Sequence, residues 1–275
     1  MTISGGIIIL FFIVIVAFGP SLVRQNPYDI ASLELMDAYK PPVWLPGGDA
    51  RYLLGTDGQG RDVLASIVYG TRISLFIGLA AMICSSLIGA TLGLIAGYFG
   101  GVTDRLISRL IEVFLAFPGM LLAIAMAAMI GPGLDNVIIA LSAMGWVGYA
   151  RLVRVQVLAL RERDHVLAAT ALGRTAPAIM RQHLLPLVMA PVWVEASFGV
   201  ASAVIAEAGL SFLGLGVQPP AASWGAMIRD GVRYLLVAPH LVLAPGVALF
   251  LVVMAANVLG DRLRDRLDVI SHSRP

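Results

Sequence analysis

The stretch "HVLAATALGRTAPAIMRQHLLP", residues 165–186, decides the fold of this chain, because it is a small, polar, glycine-broken interruption in an otherwise strongly apolar sequence. Its first half has the spacing of a short helix. Asp164 suits the N-cap of that helix, and His165 opens its first turn. Gly173 stands where a residue in the left-handed conformation would end it. The apolar positions at helical spacing are Ala168, Ala171 and Leu172.

A second short helix is predicted after the glycine. Thr175 can cap it, and Pro177 falls in its first turn, where proline is tolerated. This helix should run to Leu185, and Pro186 then begins the next apolar stretch. The first helix has only about nine residues, so it is marginal alone in water and needs a partner surface. On physical grounds two hypotheses stay open: a lever gripped by a soluble partner, or an amphipathic connector lying at the lipid headgroups.

The composition predicts an all-α integral membrane protein. The chain is 59% hydrophobic and 13% charged, whereas soluble domains carry about 25% charged residues. This composition argues against a soluble enzyme, and a net charge of +2 gives no argument for nucleic-acid binding. A bilayer-spanning helix needs roughly 20 apolar residues. The sequence predicts six such spans, at about 5–22, 73–98, 106–130, 136–157, 187–209 and 239–259.

Lysine and arginine are unevenly divided between the two sides that alternating spans create. The side that holds 99–105, 158–186 and the tail after 260 carries 12 of the 19 basic residues, and the other side carries 7. Basic residues concentrate in cytoplasmic loops. The loop 158–186 and the C-terminus are therefore predicted to be cytoplasmic.

Three regions follow from this topology. They are 1–70, the first span with a long external segment; 71–260, a five-span core that contains the loop 158–186; and 261–275, a cytoplasmic tail. The first span could instead be a signal peptide, but residues 1–23 lack the basic n-region of one, which favours a retained span. A second external excursion is predicted at 211–238, where Ser223 could cap a short helix beginning near Trp224.

Small residues recur every four positions in the second predicted span. Such a stripe lets another helix approach closely in lipid. We therefore predict tight helix packing there, within the chain or across subunits. The residues are Ser85, Gly89, Gly93, Gly97 and Gly101.

Two carboxylates lie in the fifth predicted span. A charge in the bilayer core costs about 2.5 kcal/mol or more, so neither should face lipid. Glu207 heads the external glycine-rich turn, and we interpret it as hydrogen-bonded to a partner helix or lying near the outer interface. Glu195 could line a translocation path or bond to a partner helix. Elsewhere, Glu112 lies one turn from Arg109, which predicts an intrahelical pair.

No metal site is predicted. The four histidines, at 165, 183, 240 and 272, do not cluster as ligands. The single cysteine, Cys84, sits in an apolar run and is interpreted as a small packed hydrophobic residue.

The glycine-broken stretch resembles the signature loop of permease subunits in binding-protein-dependent ABC importers. That pattern is roughly Glu-Ala-Ala, three residues, Gly, then Ile and Leu-Pro about ten residues on. The matching positions are Ala168, Ala169, Gly173, Ile179, Leu185 and Pro186, while Leu167 replaces the Glu. The resemblance implies that the first helix docks in a cleft of an ATPase subunit. The coupling residues it implies are Asp164, His165, Ala168, Ala169, Gly173 and Arg174.

Four further stretches are similar to the C-type permeases of dipeptide, oligopeptide and nickel importers. They are "LLGTDGQGRDVLASIVYGTRISL" (53–75), "GLIAGYFGGVTDRLISRLIEVFLAFP" (93–118), "EAGLSFLGLGVQPPAASWGAMI" (207–228) and "NVLGDRLRDRLD" (257–268). This resemblance implies an inner-membrane protein whose last five spans form an ABC type-1 permease core. The implied partners are a homologous second permease, two cytoplasmic ATPase subunits and an external substrate-binding protein. ATP and Mg²⁺ would bind to the ATPases and no cofactor to this chain. The implied cargo is a peptide, with nickel or a metal chelate as the alternative.

Other functional classes are less consistent with the sequence. It contains no G-x-x-x-x-G-K-[ST] phosphate loop, no H-E-x-x-H and no G-x-S-x-G. A stand-alone secondary transporter should show an internal repeat and spans broken near mid-membrane, and neither is evident. An intramembrane enzyme would need paired catalytic groups, which are also missing.

Overall fold

A computed structural model describes residues 14–23, 25–29 and 33–272, with side chains described as far as residue 267. Within these ranges the protein is helical, and its only extended pairing is an isolated bridge between Thr56 and Asp62. Residues 14–22 are helical and are called α1. A 3₁₀ turn at Leu35–Asp37 precedes the remaining helices. These are α2 (Val63–Phe99), α3 (Gly101–Leu115), α4 (Gly119–Ile130), α5 (Leu134–Leu160), α6 (Asp164–Ala171), α7 (Ala176–Ile179), α8 (Leu185–Phe212), α9 (Trp224–Val232) and α10 (His240–His272).

Four described helical segments are long and apolar enough to cross a membrane. They are α2, α5, the continuous helix from Ala176 to Phe212, and α10 as far as Leu267. They correspond to the predicted spans at 73–98, 136–157, 187–209 and 239–259. The helices extend beyond these spans, and α2 begins ten residues earlier, where the Asp62 side chain accepts a hydrogen bond from Leu64 N at 2.9 Å.

The predicted span at 106–130 is not one straight helix. α3 and α4 meet at an angle of 87° and count as a fifth span only if the bent pair crosses together. The break lies at Pro118, because proline disfavours helical backbone in the residue before it. Residues 5–13 of the first predicted span lie outside the described residues, so the total of six spans stays a prediction.

The small-residue stripe packs α2 tightly against α5 within this chain. A Cβ at Gly89 would collide with the carbonyl oxygen of Trp146, and one at Gly93 with that of Ala150. At Gly97 it would lie 2.7 Å from Val157 Cβ. Gly101 lies outside this seam: it begins α3, with nothing within 4 Å of a Cβ position and a φ of 53°. The three glycines of α2 allow its backbone to approach that of α5 directly.

Polar contacts brace the end of this seam. Arg161, just after α5, donates to the carbonyl oxygen of Gly97 at 3.1 Å. Arg154 pairs with Asp104 of α3, with 2.8 Å between Nη2 and Oδ2. The predicted pair on α3 is confirmed, because Arg109 Nη1 lies 2.8 Å from Glu112 Oε2.

Two long connections pack together at the other end of the bundle. The first connection, residues 33–62, contacts the second, residues 213–239, through the rings of Tyr39 and Tyr234, whose centroids are 4.7 Å apart. The predicted cap is confirmed: Ser223 Oγ accepts from Ala226 N at 3.4 Å and begins α9. Their contact agrees with the prediction that both connections lie on one side of the membrane.

Candidate functional site

The glycine bend is a helix-ending motif with two backbone hydrogen bonds. Gly173 has a φ of 73°. Its N–H donates to the carbonyl of Thr170 at 3.0 Å, and Arg174 N donates to the carbonyl of Ala169 at 3.1 Å. These two bonds define a Schellman motif, in which glycine is favoured because its backbone adopts the left-handed region without a Cβ penalty. The predicted role of Gly173 as the residue that ends the helix is confirmed.

The N-terminus of α6 differs from the prediction. Arg163 is the N-cap, and no side chain caps the helix. Asp164 is the first helical residue, where its carboxylate still interacts favourably with the positive end of the helix dipole. The helix therefore begins one residue earlier than an Asp164 cap would imply.

The second predicted helix does not stop before the next span. Thr175 precedes α7 as its N-cap without a side-chain bond, and Pro177 lies in the first turn. A π-helical turn at Met180–Leu184 then carries the chain directly into α8. The helix is continuous from Ala176 to Phe212, and Pro186, which has no N–H to donate, lies directly after the π-helical turn.

One face of α6 is buried against the bundle. Val166 and Ala169 belong to an apolar cluster with Val157 and Leu160 of α5 and Ile179 of α7. The structure thus places Ala169, 6% exposed, on the inward face and off the surface that a partner could touch. This burial supplies the packing that so short a helix needs.

The opposite face of α6 is exposed. Leu172 is 84% exposed at the end of the helix, and Gly173 has nothing within 4 Å of the position that a Cβ would occupy. Arg174 is also exposed and donates to Gln182 Oε1 at 3.0 Å. The exposed positions on α6 include Asp164, His165, Leu167 and Ala168. Small and apolar side chains so presented can pack against a protein surface.

A second feature, called here the central cavity, lies between α2, the α3–α4 break, α5 and α8. It has a volume of about 400 Å³. Glu195 lines it and is exposed. Tyr149 also lines it, is 4% exposed, and its hydroxyl has no hydrogen-bond partner among the described residues. Tyr149 was not predicted as a site residue, because the only local signal for it in the sequence was the glycines that make room beside it.

Glu207 is fully buried rather than at an outer surface. Its carboxylate accepts hydrogen bonds from Ser211 Oγ at 2.6 Å and Ser74 Oγ at 3.1 Å. Ser74 Oγ in turn accepts from Trp224 N at 3.4 Å, at the start of α9. Glu207 therefore links α2, α8 and the second connection, which confirms its interpretation as a hydrogen-bonded structural carboxylate.

The outer cleft lies between the two connections and has a volume of about 690 Å³. Its charged lining includes Arg61, Arg229 and Arg233. Hydrogen bonding to Tyr234 raises the pKa of Tyr39, which also lines the cleft, to about 12. Across the part of the chain that the structure describes, no three His, Cys, Asp or Glu side chains are grouped as metal ligands.

Known proteins match this chain over most of its length. Residues 89–269 match the family described as "Binding-protein-dependent transport system inner membrane component". The chain is 42% identical to the dipeptide transport system permease protein DppC of Alkalihalophilus pseudofirmus, over 98% of this chain and 85% of that protein. It is 42% identical to the di/tripeptide transport system permease protein DppC of Pseudomonas aeruginosa, over 96% and 86%.

One further sequence relative and one solved structure are also similar to this chain. The glutathione transport system permease protein GsiD of Pectobacterium atrosepticum is 38% identical over 98% of this chain and 86% of that protein. An inward-facing structure of the MetNI methionine ABC transporter superposes with a TM-score of 0.57 at 22% identity, over 73% of this chain and 95% of that one. That structure supports the fold alone. By sequence, this chain belongs to the family of inner-membrane permease components of binding-protein-dependent transport systems.

Proposed function

We propose that this chain is the transmembrane permease subunit of an ATP-binding-cassette importer that moves di- or oligopeptides across the bacterial inner membrane. In this proposal, ATP and Mg²⁺ bind to two separate cytoplasmic ATPase subunits. A homologous second permease completes the pathway, and an extracytoplasmic binding protein delivers cargo. The chain itself binds no cofactor. Its C-terminus and α6 lie on the cytoplasmic side, and the first of six spans is retained.

The observation that carries the proposal is the way α6 is joined to the bundle. Its inward face is packed on α5 and α7, and its outward face is free for a partner. The Schellman motif fixes the angle between α6 and the helix that continues unbroken from Ala176 to Phe212. A force applied to α6 therefore reaches the membrane helix without passing through a flexible linker. Such a lever must distinguish two states of the partner by a few kcal/mol in order to shift the bundle between them.

In this proposal, each region of the chain has a separate role in transport. The core 71–260 carries the bundle, and the loop 158–186 carries the coupling contact, made by the exposed Asp164, His165, Ala168, Gly173 and Arg174. The outer cleft is at the opposite end, where the binding protein would dock. Leu167, 53% exposed, would present an apolar side chain where the family pattern has Glu.

Peptide cargo is favoured over a nickel chelate. The relatives reported above are designated as permeases for dipeptides, di- and tripeptides, and glutathione, all of which contain peptide bonds. The described residues also present no grouped metal ligands, although a chelated metal would not need them.

The experiment substitutes Gly173 in the full complex. A Cβ at Gly173 would have nothing within 4 Å, so the left-handed backbone is what opposes a valine there. That conformation costs about 1–2 kcal/mol for an ordinary residue, and more for a β-branched one. Gly173→Val should lose ATPase co-purification and most ATP-driven uptake. Gly173→Asn is the matched control, because Asn tolerates this conformation at a helix end, and it should retain both.

Three outcomes would contradict the proposal. One is full uptake by Gly173→Val, and another is an equal loss in both variants, since then the bend conformation would not matter. The third is cargo movement by the purified chain in vesicles that contain no ATPase subunit.

A further inference from the structure

We infer that Glu195 and Tyr149 together form a recognition site in the central cavity for the cationic group of the cargo, a primary ammonium such as the N-terminus of a peptide. This inference rests on the proposed import function and names the cargo chemistry at one point of the pathway.

The position of Glu195 requires an explanation. It lies 19 residues after Ala176 and 17 residues before Phe212, near the middle of the continuous helix formed by α7, the π-helical turn and α8. An isolated carboxylate at that depth is costly, so it must face a polar ligand, a water-filled space or a partner helix. Among the described residues, no basic side chain forms an ion pair with it. Glu112, by contrast, has Arg109 at 2.8 Å.

The second observation is the Tyr149 hydroxyl. Tyr149 is 4% exposed, and its hydroxyl finds no partner among the described residues. Buried hydroxyls are nearly always hydrogen-bonded, so an orphan lining a cavity indicates a place for a ligand atom. The hydroxyl lies against Gly199, where any Cβ would collide with it. Gly199 is one helical turn after Glu195, so the hydroxyl and the carboxylate lie at neighbouring levels of α8.

Glycines also leave space next to the carboxylate. A Cβ at Gly148 of α5 would lie 3.6 Å from Glu195 Oε1. The rest of the cavity lining is mostly small and apolar, and it includes the aromatic and thioether side chains of Phe114, Phe117, Phe198, Met82 and Met144. Aromatic faces attract cations. Within this lining Glu195 is the only charged side chain.

The chemistry of the site selects one class of group. A single carboxylate with a neutral hydroxyl beside it and aromatic walls around it is complementary to a monocation with several N–H donors. An ammonium can donate to both the carboxylate and the hydroxyl. A carboxylate or phosphate would be repelled, and the site lacks the further anionic ligands that a divalent cation takes. Every unmodified linear peptide carries such an ammonium, so the site would recognise the shared part of variable cargo.

The test uses proteoliposomes that contain the whole importer with its binding protein. Uptake is compared for dialanine and for its des-amino analogue N-propionyl-alanine, each supplied at a concentration that saturates the binding protein. Variants are Glu195→Gln, Glu195→Asp and Tyr149→Phe. Controls are Glu112→Gln and Thr91→Ala, which remove an exposed carboxylate and an exposed hydroxyl outside the cavity.

We expect the wild type to take up dialanine faster than the analogue. Glu195→Gln should slow dialanine uptake about tenfold or more, the scale of a hydrogen bond to a charged group, and should abolish the preference. Tyr149→Phe should reduce it several-fold, Glu195→Asp should keep part of it, and both controls should keep it fully.

Three results would overturn the inference while leaving the proposed function standing. They are an unchanged cargo preference in Glu195→Gln, an equal slowing of both cargoes, and loss of the second permease on purification, which would identify the carboxylate as an interface ion pair. If instead the wild-type complex shows no ATP-dependent uptake, the proposed function itself fails.

Discussion

Replacing Gly97 by alanine tests how closely α2 approaches α5. The new Cβ would lie 2.7 Å from Val157 Cβ, 2.8 Å from Val157 Cγ1 and 3.0 Å from the Arg154 carbonyl oxygen. Ordinary contact begins at 3.4 Å, so the two helices would have to separate by roughly 0.7 Å, the difference between 3.4 and 2.7. Val157 is fully buried and cannot rotate away. Such overpacking costs about 1–3 kcal/mol.

Two opposing effects must be separated in this experiment. Alanine is a better helix former than glycine by about 1 kcal/mol, which partly hides the packing cost. Gly246→Ala in α10 isolates that gain, because nothing lies within 4 Å of the position of its new Cβ. The stability difference between the two variants therefore measures the seam alone.

The assay is thermal unfolding of the purified full-length chain in detergent, followed by size-exclusion chromatography. Gly97→Ala should unfold several degrees below Gly246→Ala, and Gly93→Ala should be at least as unstable, because its Cβ meets the backbone carbonyl of Ala150. Equal unfolding temperatures for Gly97→Ala and Gly246→Ala would refute the reasoning that α2 and α5 are in backbone contact.

Two more predictions follow from buried and paired carboxylates. Glu207→Leu leaves the hydroxyls of Ser74 and Ser211 without an acceptor and should destabilise the chain by about 2–6 kcal/mol, at about 1–3 kcal/mol for each unsatisfied group. Glu207→Gln should destabilise the chain less. Hydrogen exchange in residues 213–223 would report the difference, and equal protection in both variants would contradict the prediction. The pKa of Asp37 lies below its ordinary value of 3.8 because Lys40, and to a smaller extent Tyr52, donates a hydrogen bond to its carboxylate. The ionised carboxylate therefore stabilises the folded state at pH values above 3.8. This stabilisation is lost as the pH falls through the lower pKa that Asp37 has in the folded protein. Asp37→Asn should therefore lower the unfolding temperature at pH 7 and flatten its decline below pH 4, and an unchanged pH profile would count against the pair.

The alternation of apolar and polar stretches was sufficient to predict the helical membrane class and four long spans. The bend at Gly173 was also predictable, because only a glycine between two short helical patterns provides a left-handed residue at no steric cost. The same local reasoning found the Ser223 cap and the Arg109–Glu112 pair, since each depends on residues three or four positions apart. These features are local, so they can be read from the order of residues along the chain.

Other features depended on which surfaces meet. The glycine stripe predicted close packing, but only the fold identifies α5 as the partner of α2, because α5 is distant in sequence. The fold also shows that Gly101 lies outside the α2–α5 seam. The break at Pro118 was hidden by continuous hydropathy across it. Ala169 follows the family pattern, yet it faces inward, because burial is set by the helices around α6.

The sequence by itself determined that this chain is a helical membrane protein with a bend before its fifth predicted span, since hydropathy, helix signals and local motifs act over a few residues. Only the tertiary structure decided that Glu207 is enclosed by Ser74 and Ser211, and that Glu195 and Tyr149 share a cavity. Both arrangements join residues on different helices, and the enclosure that gives a carboxylate or a hydroxyl its role exists only after those helices have packed.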